Sequence, residues 1–240
     1  MINKLFNFLA IGVISFLLLS NESVIKLLKN DNVSMPNSLG KKNHDKNIIN
    51  TPFTVDYSRY DDETNAYFKE IALELEFSDL VKTEPIRWTE DMHIFIEENA
   101  TPLIRNELNR IVSELNELID PIEISIVKNK SEANCHIYFD DVNGFLKNIS
   151  EASREKTKER LSVNYGYFSS GNNNAYLHID LAKIDDDTDA QKHLLREELT
   201  QSLGLFNDSW SYPESMFYQG WSHTTDYAEI DKRLIDLLYN

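Results

Sequence analysis

The stretch from Asp189 to Gly204 constrains the fold more than any other. Leu195, Leu199 and Leu203 recur every fourth residue, which puts them on one face of an α-helix. Asp189 suits the N-terminal cap of that helix and Gly204 its stop. His193, Glu197 and Gln201 repeat with the same period on the opposite side, and Glu198 lies one step beside them. A helix with a leucine stripe has to bury it against a second layer. The polar stripe is then either a solvated face or the wall of a site.

The residues upstream supply the second layer. Tyr67 to Leu80, with Phe68, Ile71, Ala72 and Leu75, reads as an amphipathic helix. Met92, Ile94 and Ile96 alternate with His93 and Phe95 in a strand that also takes in Arg87-Trp88. Thr101 and Pro102 fit the cap and first position of a helix running through Leu108, Ile111, Leu115 and Leu118, closed by Pro121. Ile122, Ile124 and Ile126 alternate as a strand, as do Cys135, Ile137 and Phe139 within residues 133–139. Residues 140–160 are polar and read as a loop with one short helix. Val163 to Phe168 and Ala175 to Ile184 read as two strands joined by a turn at residues 170–174. The expected fold is α+β, a twisted and largely mixed sheet backed by helices. A single domain over residues 61–240, with a helical lead-in at 61–85, accommodates it.

The N-terminus has the layout of an export signal. Lys4 precedes a nearly continuous apolar run from Leu5 to Leu19, shorter than the ~20 residues of a full membrane span. Residues 1–20 are therefore expected to be a signal peptide or an N-terminal anchor. Residues 21–60, rich in Asn, Lys and Ser with Pro36, Gly40 and Pro52, read as a flexible tether. Together they predict an extracytoplasmic protein, secreted, periplasmic or held at the membrane by the N-terminal segment. The net charge of −16 is unevenly spread. Residues 1–50 hold six Lys and three acidic groups, leaving 18 Lys+Arg against 37 Asp+Glu in the remainder. So acidic a body repels nucleic acid and anionic lipid, so no nucleic-acid partner is expected and membrane contact only through the N-terminal segment. The one cysteine, Cys135, permits no internal disulfide and reads as a small buried hydrophobe.

The chemistry-bearing residues follow Asp185. Glu197-Glu198-Leu199-Thr200-Gln201-Ser202-Leu203-Gly204-Leu205 has the frame of the metzincin signature His-Glu-x-x-His-x-Leu-Gly-Leu, with Glu197 and Gln201 at the two His positions. Tyr212-Pro213-Glu214-Ser215-Met216-Phe217-Tyr218 resembles the Met-turn of that group. A helix opening at Thr224-Thr225-Asp226 and ending Leu237-Leu238-Tyr239 is similar to the final helix of matrixin-like enzymes. The run from Arg196 to Asp208 resembles more closely still the bacterial family called domain of unknown function 2927, whose members are exported or lipid-anchored without an assigned activity. The resemblance to metzincins implies an active-site-type helix, a Met-turn with Met216 beneath the site, and a C-terminal helix. It also implies Glu198 at the position of the general base, and Asn207, with Asp208 adjacent, at the third metal position.

Ligand chemistry qualifies that implication. A zinc peptidase needs three good protein ligands and an open position for water. Glu197 can ligate zinc, whereas Gln201 and Asn207 offer only amide oxygens. Oxygen donors such as Glu197, Gln201 and Asp208 suit calcium better. His193, one turn before Glu197, is the one imidazole on the stripe, and His178 and His223 lie where the chain alone does not place them. Zinc by resemblance, calcium or no cofactor all remain open. The acidic run Asp185 to Asp189 reads as helix N-terminal charge. Trp210, Tyr212, Phe217, Tyr218 and Trp221 either line a groove or pack under the last helix. Three readings follow: a non-catalytic pseudopeptidase binding a peptide or envelope protein, an atypical metal-dependent hydrolase with Glu198 as base, or an extracytoplasmic structural protein without a cleft.

Overall fold

Asp61 opens the first helix by accepting a hydrogen bond from the Thr64 amide, and α1 runs from Asp62 to Leu73. The computed structural model describes residues 53–240 except 76, 77, 99 and 172. The signal or anchor over 1–20, and the tether as far as residue 52, lie outside the described residues. From Val55 on, part of the segment expected in the tether makes contacts with the fold. Val55 is buried, Tyr57 meets the Phe68 ring edge-on, and Arg59 pairs with Asp236 at 2.5 Å. The helix expected over 67–80 thus begins earlier and ends sooner. Its last carbonyl, on Leu73, accepts the Lys82 N–H of a small antiparallel hairpin formed by β1 (Glu74–Leu75) and β2 (Ser78–Val81).

The alternating runs then build one sheet. β3 (Met92–Ile96) leads into α2 (Pro102–Leu118), capped by Thr101 with Pro102 in its first turn as the sequence predicts. β4 (Ile124–Ile126) and β5 (Cys135–Phe139) pair with β3 on either side, both parallel. Two helices, α3 (Val142–Leu146) and α4 (Glu151–Val163), occupy the stretch expected to be mostly loop. α4 escapes detection because its buried positions are Ser153, Thr157 and Leu161, only one of them apolar. β6 (Gly166–Gly171) and β7 (Asn174–Ile179) form an antiparallel hairpin, with β7 parallel to β5. The strand order is β4-β3-β5-β7-β6, a five-stranded and mostly parallel sheet.

Four corrections to the sequence reading concern where elements begin and end. Arg87 and Trp88 are not in the strand. The Arg87 guanidinium donates to the carbonyls of Leu238 and Tyr239, and the Trp88 indole to that of Ser202. β7 stops at Ile179 because Asp180 turns to accept the Lys183 amide, opening a short helix, α5 (Leu181–Ile184). The helix with the leucine stripe, α6, spans Thr188–Gln201 and is capped by Asp187 rather than Asp189. The final helix, α7, begins at Glu229 rather than near Thr224.

Cys135, Ile137 and Phe139 line one side of β5 and are fully buried. Tyr138 faces the other, in a cluster with Phe145, Leu146, Ile149, Leu161 and Tyr167 under α3 and α4. Burial raises the Cys135 thiol well above its ordinary value, as befits a packed hydrophobe. α6 packs on α2 and on β6 and β7, and its leucines 195, 199 and 203 are buried. No helix among the described residues is long and apolar enough to cross a membrane.

Candidate functional site

The polar stripe of α6 is not a solvated face. His193, Arg196, Glu197, Glu198, Thr200 and Gln201 are all buried, so one helix carries charged and polar groups inward on every side. Buried charge is costly unless it is met, and for Arg196 the partners are plain. Its guanidinium reaches Glu107 at 3.2 Å and Glu114 at 2.5 Å on α2, and lies 4.4 Å from the centre of the Tyr227 ring. Arg110 closes the same network, pairing with Glu107, Glu114 and Asp226. Arg110 also holds the Asp226 carboxyl below its ordinary value. Thr200 joins through the Tyr227 hydroxyl at 2.7 Å. Arg196 is therefore committed to α2.

His193 and Glu197 face each other one turn apart on α6. The His193 Nδ1 lies 2.7 Å from the Thr224 carbonyl, which can only accept, so Nδ1 is assigned the proton. Nε2 then turns its lone pair toward a Glu197 carboxylate oxygen 3.5 Å away. Burial pulls the imidazole down to about 4, so it is neutral at pH 7.

Glu198, at the position of the general base, has no exposed surface. Its carboxylate lies against β6 at Gly166, where an added Cβ would come within 2.1 Å of Oε1. A side chain at this position would force the Glu198 carboxylate to shift. Gln201 donates its amide Nε2 to Asp208 at 2.7 Å, which brings these two candidates together. Asn207 goes elsewhere, donating to the main-chain carbonyls of Glu70 and Glu74 at the end of α1.

The helix exit depends on Gly204. Its φ of +129° suits glycine, and a Cβ there would meet the Ile86 carbonyl at 2.1 Å. The chain then enters the turn expected to carry Met216. Met216 is buried, and its amide donates to Asp231 of α7. Ser215 donates to the other oxygen of Asp231 at 2.5 Å and contacts the Tyr67 hydroxyl of α1 at 2.9 Å. The turn is thus tied to both the first and last helices. His178 packs against Phe145 in the cluster under α3 and α4, and His223 pairs with Asp187 at the start of α6. Neither joins Gln201 and Asp208. Of the aromatic group, Phe217 is buried, while Trp210 and Trp221 are 59% and 48% exposed.

These residues do not fit the zinc of a metallopeptidase. The three frame positions offer one carboxylate and two amides, and Asn207 is drawn toward α1. Among the described residues no group of three or more His, Cys, Asp and Glu side chains is placed to hold a metal ion. What the arrangement does chemically is hold charge internally. Sequence reasoning missed the partners of Arg196, which lie 82 and 89 residues away, and the Gly166 seat of Glu198. It also missed that Glu63 and Glu70 share a side of α1, which their spacing of seven would have signalled.

No curated protein matches the chain. Among solved structures the chain is similar to a crystal structure of myroilysin, at 9% identity and a TM-score of 0.39, covering 64% of this chain and 85% of that one. A second myroilysin structure matches at 11% identity and the same TM-score, covering 64% and 82%. The family model described as protein of unknown function (DUF2927) matches residues 61–240, three quarters of the sequence, and this chain belongs to that family.

Proposed function

We propose that this is an exported protein with a degenerate metzincin-like scaffold, which binds a peptide or envelope protein and does not hydrolyse it. The sequence frame from Glu197 to Leu205, followed by the turn with Met216, supports the scaffold. The observation that carries the non-catalytic role is the use made of the frame positions. Glu198 is sealed against Gly166, Gln201 is spent on Asp208, and Asn207 is spent on the end of α1. A general base has to reach the proton it removes, and a zinc ligand has to face the metal. Here those groups consolidate the fold. The Leu5 to Leu19 run after Lys4 supports export.

One observation favours the second reading, an atypical metal-dependent hydrolase. With Nδ1 donating to the Thr224 carbonyl, His193 has the orientation of a metal-ligating imidazole, its free nitrogen toward Glu197. A peptide-cleavage assay separates the readings. Purified native protein is expected to leave a mixed peptide library intact, with or without added zinc. Cleavage that a chelator abolishes, and that Glu198→Gln abolishes again, establishes the hydrolase. Export is tested by cell fractionation, where recovery of the untagged full-length chain in the cytoplasm refutes it.

A further inference from the structure

The segment over residues 142–163 covers part of the second side of the sheet. Phe145, Leu146, Ile149 and Leu161 from this segment close over Tyr138 of β5 and Tyr167 of β6. Its second helix contributes little to that cover, since the buried positions of α4 are Ser153, Thr157 and Leu161. His178 of β7 sits among these rings. It lies in register with Tyr138 on one neighbouring strand and Tyr167 on the other, and its ring centre is 5.7 Å from that of Phe145. It is 1% exposed, and neither ring nitrogen has a hydrogen-bond partner among the described residues. The side-chain amide of Asn164, where α4 ends, is likewise buried with neither atom partnered.

A neutral imidazole always carries one N–H, so this ring buries a donor that water would satisfy if the segment were open. A phenyl or isobutyl group would fill the same cluster without that cost. Protonation adds a second donor and a charge within a wall of aromatic rings. The groups around it are already engaged. At the ends of β5 and β7, Asp140 accepts from the Ala182 amide, Asp141 from the Gly144 amide and Asp180 from the Lys183 amide. Asp180 also pairs with the Lys183 ammonium at 3.3 Å. The Tyr138 hydroxyl accepts from Asn148, with Lys130 over its ring, and Arg160 and Glu198 approach Tyr167. α3 has no titratable side chain, Arg154 of α4 donates to the Leu146 and Ile149 carbonyls, and the Lys and Glu side chains of α4 are exposed. Burial outweighs the pull of the three aspartates, and Lys183 opposes them, so the imidazole is held below its ordinary 6.5. An open segment therefore takes up the proton first. Its attachment is complete above 6.5 and is lost as pH falls below that value.

We propose that His178 is an acid-sensitive fastening for residues 142–163: once its imidazole is protonated, α3 and α4 lift from the sheet and uncover Tyr138 and Tyr167 while the rest of the fold stays in place. This is a conformational device separate from the peptide-binding role proposed above, and it does not rest on that role.

The test is hydrogen exchange of the full-length chain between pH 7 and 5, read as protection factors so that the intrinsic pH dependence of exchange is removed. Protection over residues 142–163 is expected to fall by up to about tenfold per pH unit below 6.5, the limit for one proton. Protection over α2 is expected to hold. His178→Phe puts a ring of similar size into the cluster without a titration, and there the fall over 142–163 should disappear. A flat profile in the native chain, an equal fall in His178→Phe, or α2 losing protection in step with 142–163 overturns the proposal. A second measurement needs no variant. The His178 imidazole, followed by site-assigned nuclear magnetic resonance in the native chain, is expected to titrate below 6.5, and a midpoint at or above that value refutes the fastening.

Discussion

Asp231 shows how one side chain can serve a whole corner of the fold. Fully buried, it accepts from Ser215, from the Met216 amide and from the Ala228 amide. Burial outweighs these donors and pushes its carboxyl up to about 6 from 3.8. Between those values the folded protein keeps a proton that the unfolded chain has released. The contribution of Asp231 to stability is therefore complete below about pH 4 and is lost as pH rises toward 6. Asp231→Asn keeps the shape and removes the titration. Denaturant midpoints measured from pH 4 to 7 should show a shallower fall in the variant than in the native chain, and an unchanged profile would refute this account. None of this is legible in the sequence, where Asp231 is one acidic residue among 40. Arg196 is equally silent there, because its partners sit on α2 and only the packing of two helices brings them together.

At the scale of elements, what the sequence reveals depends on whether an apolar pattern and a stop coincide. α6 is legible because three leucines share a face and Gly204 closes it. α2 is legible from Thr101-Pro102 and its apolar stripe. β7 is overextended because its alternation from Tyr176 to Leu181 runs on past the point where Asp180 breaks the strand. The polar stripe of α6 is recognised as a candidate, but its burial is not, since burial is a property of the neighbours. Contact between α6 and β6 offers a test. Gly166→Ala places a methyl on the Glu198 carboxylate and should destabilise the protein, whereas in a Glu198→Ala background the space is free. A double-mutant cycle is expected to give a coupling of about 1–3 kcal/mol by chemical denaturation. Additive effects would mean that the glycine is not there for the glutamate.

For the molecule as a whole, an α+β fold with helices backing a mixed sheet follows from the order of periodic segments. The strand order β4-β3-β5-β7-β6 does not, because pairing partners lie far apart in sequence. Long-range closure is also carried by groups without a sequence signature. α7 packs on α1, Arg59 reaches Asp236, and the Tyr239 hydroxyl donates to the Leu203 carbonyl at the exit of α6. Deleting residues 229–240 should therefore abolish cooperative unfolding as followed by near-ultraviolet circular dichroism. A sharp transition in the truncated chain would show that α7 is an accessory. The joining of α1 to α7 also has a consequence in time. Synthesis proceeds from the N-terminus, so α1 emerges long before the helix that covers it. Throughout that interval its apolar side has no native cover, and the nascent chain depends on a chaperone or on speed to fold unaggregated.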